Sequence, residues 1–456
     1  MKPEELQKKL SELNRATLHD FIIDLYIKYP DLSNEIETLV LFNDPPALKK
    51  AITKRIQSVK RGRKFIDYWA SSGFASDLRS IVNDIENGLL ISSPKDAFEL
   101  ADKFLLTSDS VMNRVDDSNG AIGGVYFDAV FLWLEAAKAW GDTSIDWIDR
   151  VDQLYKKNDY GVLDSLLPNS NILLSEDQLK QLAWRYEGEL RQVQKKQVAK
   201  DSSNYELITK KVALRSVAKA LKDPFLYERA VLIDSAEPNE LQKKDIIVEY
   251  IACKQFDNAL EWLNTDWDSR FEWERLELLE QVYEQNGDKQ QLRETRELIF
   301  QRDPSYHHFI RYLETLDENE QKIVRQKAIE RAQQEGNIIT SADLLLQLGE
   351  TECAQQMLVS RHQELADCYY ESLALLVKQF EKEACLLAAT ACYRALLLDI
   401  LKRGNSKAYT HAARYYKKLQ ALSDEIQDFR PLIGHAEFID QLKNDHGRKT
   451  SFWKRV

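Results

Sequence analysis

Side chains that bind phosphates or acidic surfaces are concentrated in two segments near the C-terminus. Segment 394–418 contains seven Lys or Arg and one acidic residue, and segment 441–456 contains five and one. Tyr, His, Phe and Trp are interspersed with these cations. Arg and Lys contact phosphates or carboxylates, and aromatic rings stack on bases. The pattern therefore predicts a surface that binds another macromolecule, and the candidate partner-binding residues are His411, Arg414, Tyr415, His446, Arg448, Lys449, Lys454 and Arg455.

Three further residues near this surface are predicted to be structural. Arg394 lies in CLLAATACYRALLLDIL, a helix that is apolar almost all the way round, so if it is buried it requires a carboxylate or backbone carbonyls as partners. An ion pair between repeats is favoured over a substrate anchor. Phe452 and Trp453 are an apolar pair inside a charged tail, which is typical of an anchor. If they dock onto the helix containing His411 and Tyr415, the two basic segments form one patch.

Catalytic motifs are absent from the sequence. It contains no phosphate-binding loop, no dinucleotide-binding glycine motif, no nucleophile elbow, no H-E-x-x-H and no C-x-x-C. The calcium-like stretch VDDSNGAIGGVY (115–126) has Val115 and Tyr126 where an EF-hand needs Asp and Glu, so it is interpreted as an Asx-rich turn that caps the next helix. We predict no catalytic residue, cofactor or metal. The alternative is an enzyme with an unrecognised pocket around Arg394, His411 and Asp128.

Charge and cysteine content indicate a cytoplasmic protein. Lys and Arg number 63 and Asp and Glu 74, giving a net charge of -11, which argues against a chain built mainly to coat nucleic acid. The five cysteines have no metal-ligand spacing and are expected to be free thiols in a reducing compartment. The first residues lack the apolar core of a signal peptide. The most apolar stretch, 385–401, is too short and too charged to span a bilayer, so no membrane association is predicted.

The elements that must position these residues are predicted to be helices. Only 15 Gly and 10 Pro occur in 456 residues, too few for the turns of an all-β fold or the glycine loops of most α/β enzymes. Helical periodicity recurs in segments joined by short turns such as Gly287-Asp288 and Gly404-Asn405. These features predict an all-α fold without significant sheet, a degenerate α-solenoid of helix-turn-helix pairs similar to tetratricopeptide repeats.

Three regions are predicted along the chain. Residues 1–110 form an N-terminal helical unit, 121–300 a central helical-repeat region, and 301–456 a C-terminal helical-repeat region with the basic-aromatic tail. The loop 107–124, rich in Ser, Asp, Asn and Gly, separates the first region from the second.

Several stretches resemble one bacterial family. CYRALLLDILKRGNSKAYTHAARYYKKLQAL and HAEFIDQLKNDHGRKTSFW, together with residues 155–187 and 115–123, are similar to an all-helical family catalogued as a domain of unknown function. Similar helical segments accompany SWIM zinc fingers in other bacterial proteins, but the finger is missing here because no C-x-C occurs. The resemblance implies a tetratricopeptide-like architecture in a bacterial cytoplasm and implies no activity.

The function predicted from these observations is a non-enzymatic scaffold that binds a macromolecule, with a protein as the first choice. The alternative partner is nucleic acid, bound in defence or stress through the C-terminal basic-aromatic surface. Binding that weakens with salt distinguishes the nucleic-acid alternative. The sequence leaves the oligomeric state open.

Overall fold

The computed structural model is all-α, as the composition predicts. The described residues are 77% helical and contain no strand. Their only extended pairing is an isolated bridge between Ile66 and Val115. The described residues are 3–29, 33–198, 204–233, 237–334 and 336–456.

The chain divides into two compact units, residues 1–259 and 260–456. This division does not coincide with the predicted boundaries. In the first unit α8 packs against α5 and α6, so the 107–124 loop connects elements of one packed unit. The helices up to the boundary are α1 Pro3–Ser11, α2 Arg15–Lys28, α3 Ser33–Val40, α4 Pro45–Arg61, α5 Tyr68–Leu89, α6 Pro94–Leu105, α7 Ser108–Met112, α8 Ala121–Trp140, α9 Trp147–Tyr155, α10 Glu176–Val198, α11 Asn204–Leu221, α12 Pro224–Leu232, α13 Glu240–Ala252 and α14 Phe256–Leu263, which contains the boundary.

The second unit is a run of helices that pack on their neighbours along the chain. α15 contacts α16, α16 contacts α17, and the sequence α18, α19, α20 continues in the same way; α21 contacts α22, which contacts α23. Such near-neighbour packing is the helical-repeat arrangement that the turn pattern predicts. The helices are α15 Glu272–Asn286, α16 Lys289–Arg302, α17 Tyr306–Leu313, α18 Glu318–Gln334, α19 Ile338–Gln347, α20 Thr351–Ser360, α21 Tyr370–Lys382, α22 Leu386–Arg403, α23 Tyr409–Glu425, α24 His435–His446 and α25 Thr450–Trp453.

Helix ends coincide with the predicted turn signals. Gly287 ends α15 at φ 82°, a left-handed conformation that favours glycine, and Asp288 then caps α16 by accepting a hydrogen bond from the Gln291 amide. Gly404 ends α22 at φ 68°. The calcium-like loop is the predicted cap, because the Asp117 carboxylate accepts from the Ile122 and Gly123 amides at 2.8 Å each.

A buried carboxylate stabilises the packing of α9 against α10. Asp152 accepts hydrogen bonds from Tyr186 Oη at 2.9 Å, Lys156 Nζ at 2.7 Å and Arg185 Nη1 at 3.2 Å. Burial raises the pKa of Asp152, but the hydrogen bonds from Lys156, Tyr186 and Arg185 outweigh it, so this pKa lies below its usual value.

A buried arginine joins three helices of the second unit. Arg296 on α16 donates from Nε to Glu280 on α15 at 2.7 Å and from Nη2 to Glu284 at 2.6 Å. Its Nη1 donates to the Arg311 carbonyl oxygen on α17 at 2.9 Å. Arg296 and Glu280 are both buried, so each compensates the charge of the other.

No helix within the described residues is long and apolar enough to cross a membrane. All five cysteines are unpaired.

Candidate functional site

The C-terminal tail packs onto α23. Phe452 is 0% exposed, and its ring centroid lies 6.1 Å from that of Tyr409 and 6.3 Å from that of Tyr416. Trp453 is half-buried, 6.1 Å from Tyr416, and its Nε1 donates to the His446 carbonyl oxygen at 2.9 Å. The tail therefore lies on the helix that the sequence pattern indicates.

A basic groove of about 490 Å³ lies between α23 and the end of the tail. We call it the C-terminal groove. Arg414 and Arg455, two of the predicted partner-binding residues, both line it, although they are 41 positions apart in the sequence. None of the described acidic residues lines it, and Lys418 donates to the Glu381 carboxylate at 2.9 Å. The lining residues are Thr410, Ala413, Arg414, Lys417, Lys418 and Arg455.

The groove is one face of α23. Positions 410, 413, 414, 417 and 418 are spaced by three and one, which places them on the same side of a helix. The opposite side is buried and carries the rings that hold the tail. Sequence reasoning missed Lys417 and Lys418 as named candidates, and this spacing is the signal that identifies them.

Tyr415 is a core residue. Its side chain is buried, its ring lies 5.5 Å from that of Tyr393, and its hydroxyl shares a hydrogen bond of 2.6 Å with Tyr370. A ring enclosed in this way cannot stack on a base or contact a partner. Tyr415 lies on the apolar side of α23, so it packs beneath the groove and is not part of its surface.

The remaining tail residues lie outside the groove lining. Arg448 and Lys454 are exposed, whereas Lys449 and His446 are half-buried. A Cβ built on Gly404 would lie 3.8 Å from Lys449 Nζ, which places this ammonium beside the C-terminal end of α22, where a cation is favourable. Burial, and then the Lys449 charge, lowers the pKa of His446.

His411 is exposed and contacts Arg414, with 3.3 Å between its Nδ1 and Arg414 Nη2. It lines a smaller cavity of about 260 Å³ with Tyr370, Asp399 and Arg403, and Arg394 is not part of that lining. In the first unit, Asp128 pairs with Arg79 at 3.3 Å. Arg394, His411 and Asp128, which the enzyme alternative places around one pocket, therefore contact different partners.

Arg394 is buried, and no carboxylate of the described residues pairs with it, so the predicted ion pair is wrong. The residue is 7% exposed, and its Nη1 donates to the Ile433 carbonyl oxygen at 2.9 Å. The guanidinium carbon lies 4.5 Å from the ring centroid of Phe438 and 5.6 Å from that of Phe429. No other protein atom of the described residues bonds its Nε or Nη2. The aromatic faces replace the carboxylate that the sequence led us to expect.

A second cavity of about 490 Å³ lies among α16, α17 and α18 and has a different character. Its charges are mixed, and Arg293 is paired with Glu320 across 2.8 Å inside it. Paired charges attract an outside ligand less than like charges do. The C-terminal groove is therefore the stronger candidate.

An exposed basic-aromatic surface lies at residues 60–69. Phe65 is 62% exposed and Trp69 88%, beside Lys60, Arg61, Arg63 and Lys64. The segment is held in place because Arg114 donates to the carbonyl oxygens of residues 59 and 64 at 3.1 and 3.2 Å. Exposed aromatic rings and exposed cations within ten consecutive residues constitute a second candidate binding surface.

Comparison with known proteins identifies the family. A family of unknown function (DUF6880) matches residues 7–455. The chain belongs to this family. The match spans nearly the whole chain and agrees with the predicted resemblance, while the association with SWIM fingers stays a prediction. No curated protein matches the chain.

One solved structure that the chain matches is a circular tandem repeat protein with novel repeat topology and enhanced subunit contact surfaces. The two sequences are 15% identical, and the alignment covers 99% of this chain and 94% of that chain. The TM-score is 0.14.

Proposed function

We propose that this DUF6880 chain is a non-enzymatic helical-repeat scaffold whose C-terminal groove binds an acidic segment of another protein. The observation that carries the proposal is the groove lining, which has four cations from α23 and the tail; Lys418 pairs with Glu381, whereas Arg414, Lys417 and Arg455 form no ion pair within the described residues. Like charges held together by a folded surface attract an oppositely charged partner even on a chain of net charge -11, because screening limits each field to about 10 Å at 0.1 M salt.

Protein is favoured over nucleic acid at this groove because of the aromatic residues. Tyr415 and Phe452 are buried and Trp453 is packed on α23, so none of these rings faces the groove as a free stacking platform. Sequence-tolerant binding of single strands relies on such platforms. Carboxylates of a peptide need only the cations.

The test is a pull-down from the native host with a charge-reversed groove and a matched control. The groove variant is Arg414→Glu with Lys417→Glu, and the control is Lys402→Glu with Lys407→Glu, two exposed cations outside the groove lining. Both variants change the net charge equally. We expect the groove variant to lose the partner and the control to keep it, with unchanged circular dichroism in both.

A defined probe makes the test quantitative. A fluorescent oligo-glutamate peptide should bind the wild type and the control, and the groove variant should bind it at least about tenfold more weakly. Equal binding by the two variants would show that the attraction is general and that the groove is not the site.

Single-stranded nucleic acid is a second candidate partner, favoured by the exposed rings of the 60–69 surface. Phosphates would contact its cations and a base would stack on Trp69. We expect Trp69→Ala to weaken binding of a thymidine oligonucleotide about tenfold. Trp184→Ala is the control, because Trp184 is also exposed, at 76%, but lies on α10. Equal effects of the two substitutions would exclude the 60–69 surface.

A further inference from the structure

The cavity of about 490 Å³ among α16, α17 and α18 is bounded by two polar contacts between its walls. Arg293 Nη2 on α16 lies 2.8 Å from Glu320 Oε1 on α18. Arg331 Nη2 on α18 donates to the Gln301 carbonyl oxygen on α16 at 3.1 Å. The two contacts are about 12 Å apart along the axis of α16 and about 16 Å apart along that of α18. We call this space the α16–α18 pocket, and its size is that of a small-molecule site.

The interior of the α16–α18 pocket is apolar. Phe300 and Tyr312 are 7% and 5% exposed, and their stacked rings lie 6.3 Å apart between centroids. Val324 and Ala328 line the wall on α18. Ile323, on the same wall, is 57% exposed, so aliphatic surface is left in water beside an aromatic floor. A ligand with an apolar body would remove this surface from water, which favours binding.

Two cations on α18 supply positive charge to the pocket. Lys327 and Arg331 are four positions apart, so they lie on the same side of the helix, and both line the pocket. Both are exposed, and neither forms an ion pair within the part of the chain that the structure describes. The bond from Arg331 to a carbonyl oxygen leaves its charge uncompensated. A carboxylate is the group that accepts from an ammonium and a guanidinium together.

The wall on α16 carries the opposite charge. Glu297 lines the pocket and forms no ion pair within the described residues, whereas Glu320 is paired with Arg293. A second negative group on a ligand would be repelled by Glu297, because like charges placed opposite each other disfavour binding. The lining therefore selects one carboxylate at the α18 wall and an uncharged remainder.

We infer that the α16–α18 pocket binds a small apolar monocarboxylate, an aliphatic or aromatic acid with one charged end. Its carboxylate accepts hydrogen bonds from Lys327 and Arg331, and its apolar body covers Phe300, Tyr312 and Ile323. The inference goes beyond the proposed scaffold function. It concerns a separate site, because none of these residues lines the C-terminal groove.

The test is isothermal titration of the full chain with octanoate at constant ionic strength, with chloride as the balancing anion. The wild type should bind octanoate saturably at one site. Lys327→Gln with Arg331→Gln removes both charges and should weaken binding at least about tenfold. The matched control is Lys289→Gln with Lys322→Gln, two exposed cations on the same two helices outside the pocket lining. It removes the same charge and should bind like the wild type.

Three further probes separate the contributions of the ligand. Butyrate keeps the carboxylate and loses four methylene groups, and 1-octanol keeps the apolar chain and loses the charge. Each should bind at least about tenfold more weakly than octanoate. Octanedioate has the same length and a second carboxylate, which Glu297 should repel, so it should also bind more weakly than octanoate.

A second variant keeps the inference testable if the double substitution on α18 does not fold. Ile323→Ser changes an exposed side chain, and it should weaken octanoate binding at least about threefold because apolar contact is lost. The groove variant Arg414→Glu with Lys417→Glu should bind octanoate like the wild type.

The inference is overturned if octanoate does not bind the wild type saturably, or if 1-octanol or octanedioate binds as tightly as octanoate. It is equally overturned if Lys327→Gln with Arg331→Gln folds and binds octanoate like the wild type, or if only the groove variant loses binding. In that last case octanoate sits in the C-terminal groove.

Discussion

Truncation of Phe452 to Ala should undock the C-terminal tail. The ring is fully buried between Tyr409 and Tyr416, and it is the only wholly buried side chain of the four-residue helix α25. Removing a buried Phe ring costs about 3 to 5 kcal/mol in protein cores. Since α25 has few other contacts, we expect a loss near the lower limit, about 3 kcal/mol.

Undocking changes the C-terminal tail and not the rest of the fold, so the assay must report on the tail itself. A loss of about 3 kcal/mol raises the population of the undocked tail roughly 100-fold, because each 1.4 kcal/mol is a factor of ten. Trypsin cleaves after Arg448 and Lys449 only when the tail is released, and its rate follows that population when docking is fast. We expect cleavage at these sites to accelerate by about two orders of magnitude, with little change in overall helix content.

Trp453→Ala is the matched control for this prediction. The ring is half-buried, so its truncation should accelerate cleavage much less than that of Phe452. Arg455 should also leave the groove in the Phe452 variant, which would weaken binding of the oligo-glutamate peptide. Equal cleavage rates for the wild type and Phe452→Ala would refute the packing argument.

Three other perturbations test the energetics of the described core. Arg296→Met leaves the buried Glu280 with one fewer cation and should destabilise the second unit by about 3 kcal/mol in urea unfolding; a loss below about 0.5 kcal/mol would contradict this. Arg394→Met should leave stability unchanged or raise it, because no carboxylate of the described residues loses a partner, and a large fall in the melting temperature would count against that assignment. The pKa of Asp152 lies below its usual value in the folded chain, so its contribution to stability is present above about pH 4 and is lost as the pH falls through the folded pKa. Asp152→Asn should therefore flatten the acid limb of a stability–pH curve, and an unchanged limb would refute this.

The local sequence predicted features that depend on near neighbours in the chain. The turn at Gly287 and Asp288 is recognisable because a left-handed residue followed by an N-cap is encoded within a few positions. Asp117 was predictable as a cap for the same reason. The sequence raised the burial of Arg394 only as a condition, and the structure shows that the residue is buried.

Partners that are distant in the chain were not predictable. The sequence implied that Arg394 needed compensation, but only packing brings the loop at 429–433 and α24 to it, so that aromatic faces and a carbonyl replace a carboxylate. Tyr415 looked like a surface residue among cations. Only the position of α21 and α22 shows that its side of α23 is buried.

The sequence by itself determined the helical class and the basic character of the C-terminus, because both follow from residue types and short spacings. Tertiary structure alone decided that Arg414 and Arg455 share one groove, and that Arg394 donates to the carbonyl oxygen of Ile433. The physical reason is that helical propensity acts within a turn or two. Whether two segments that are distant in the chain come into contact depends on which apolar faces pack against each other. Here that contact depends on Phe452, which packs the tail against Tyr409 and Tyr416.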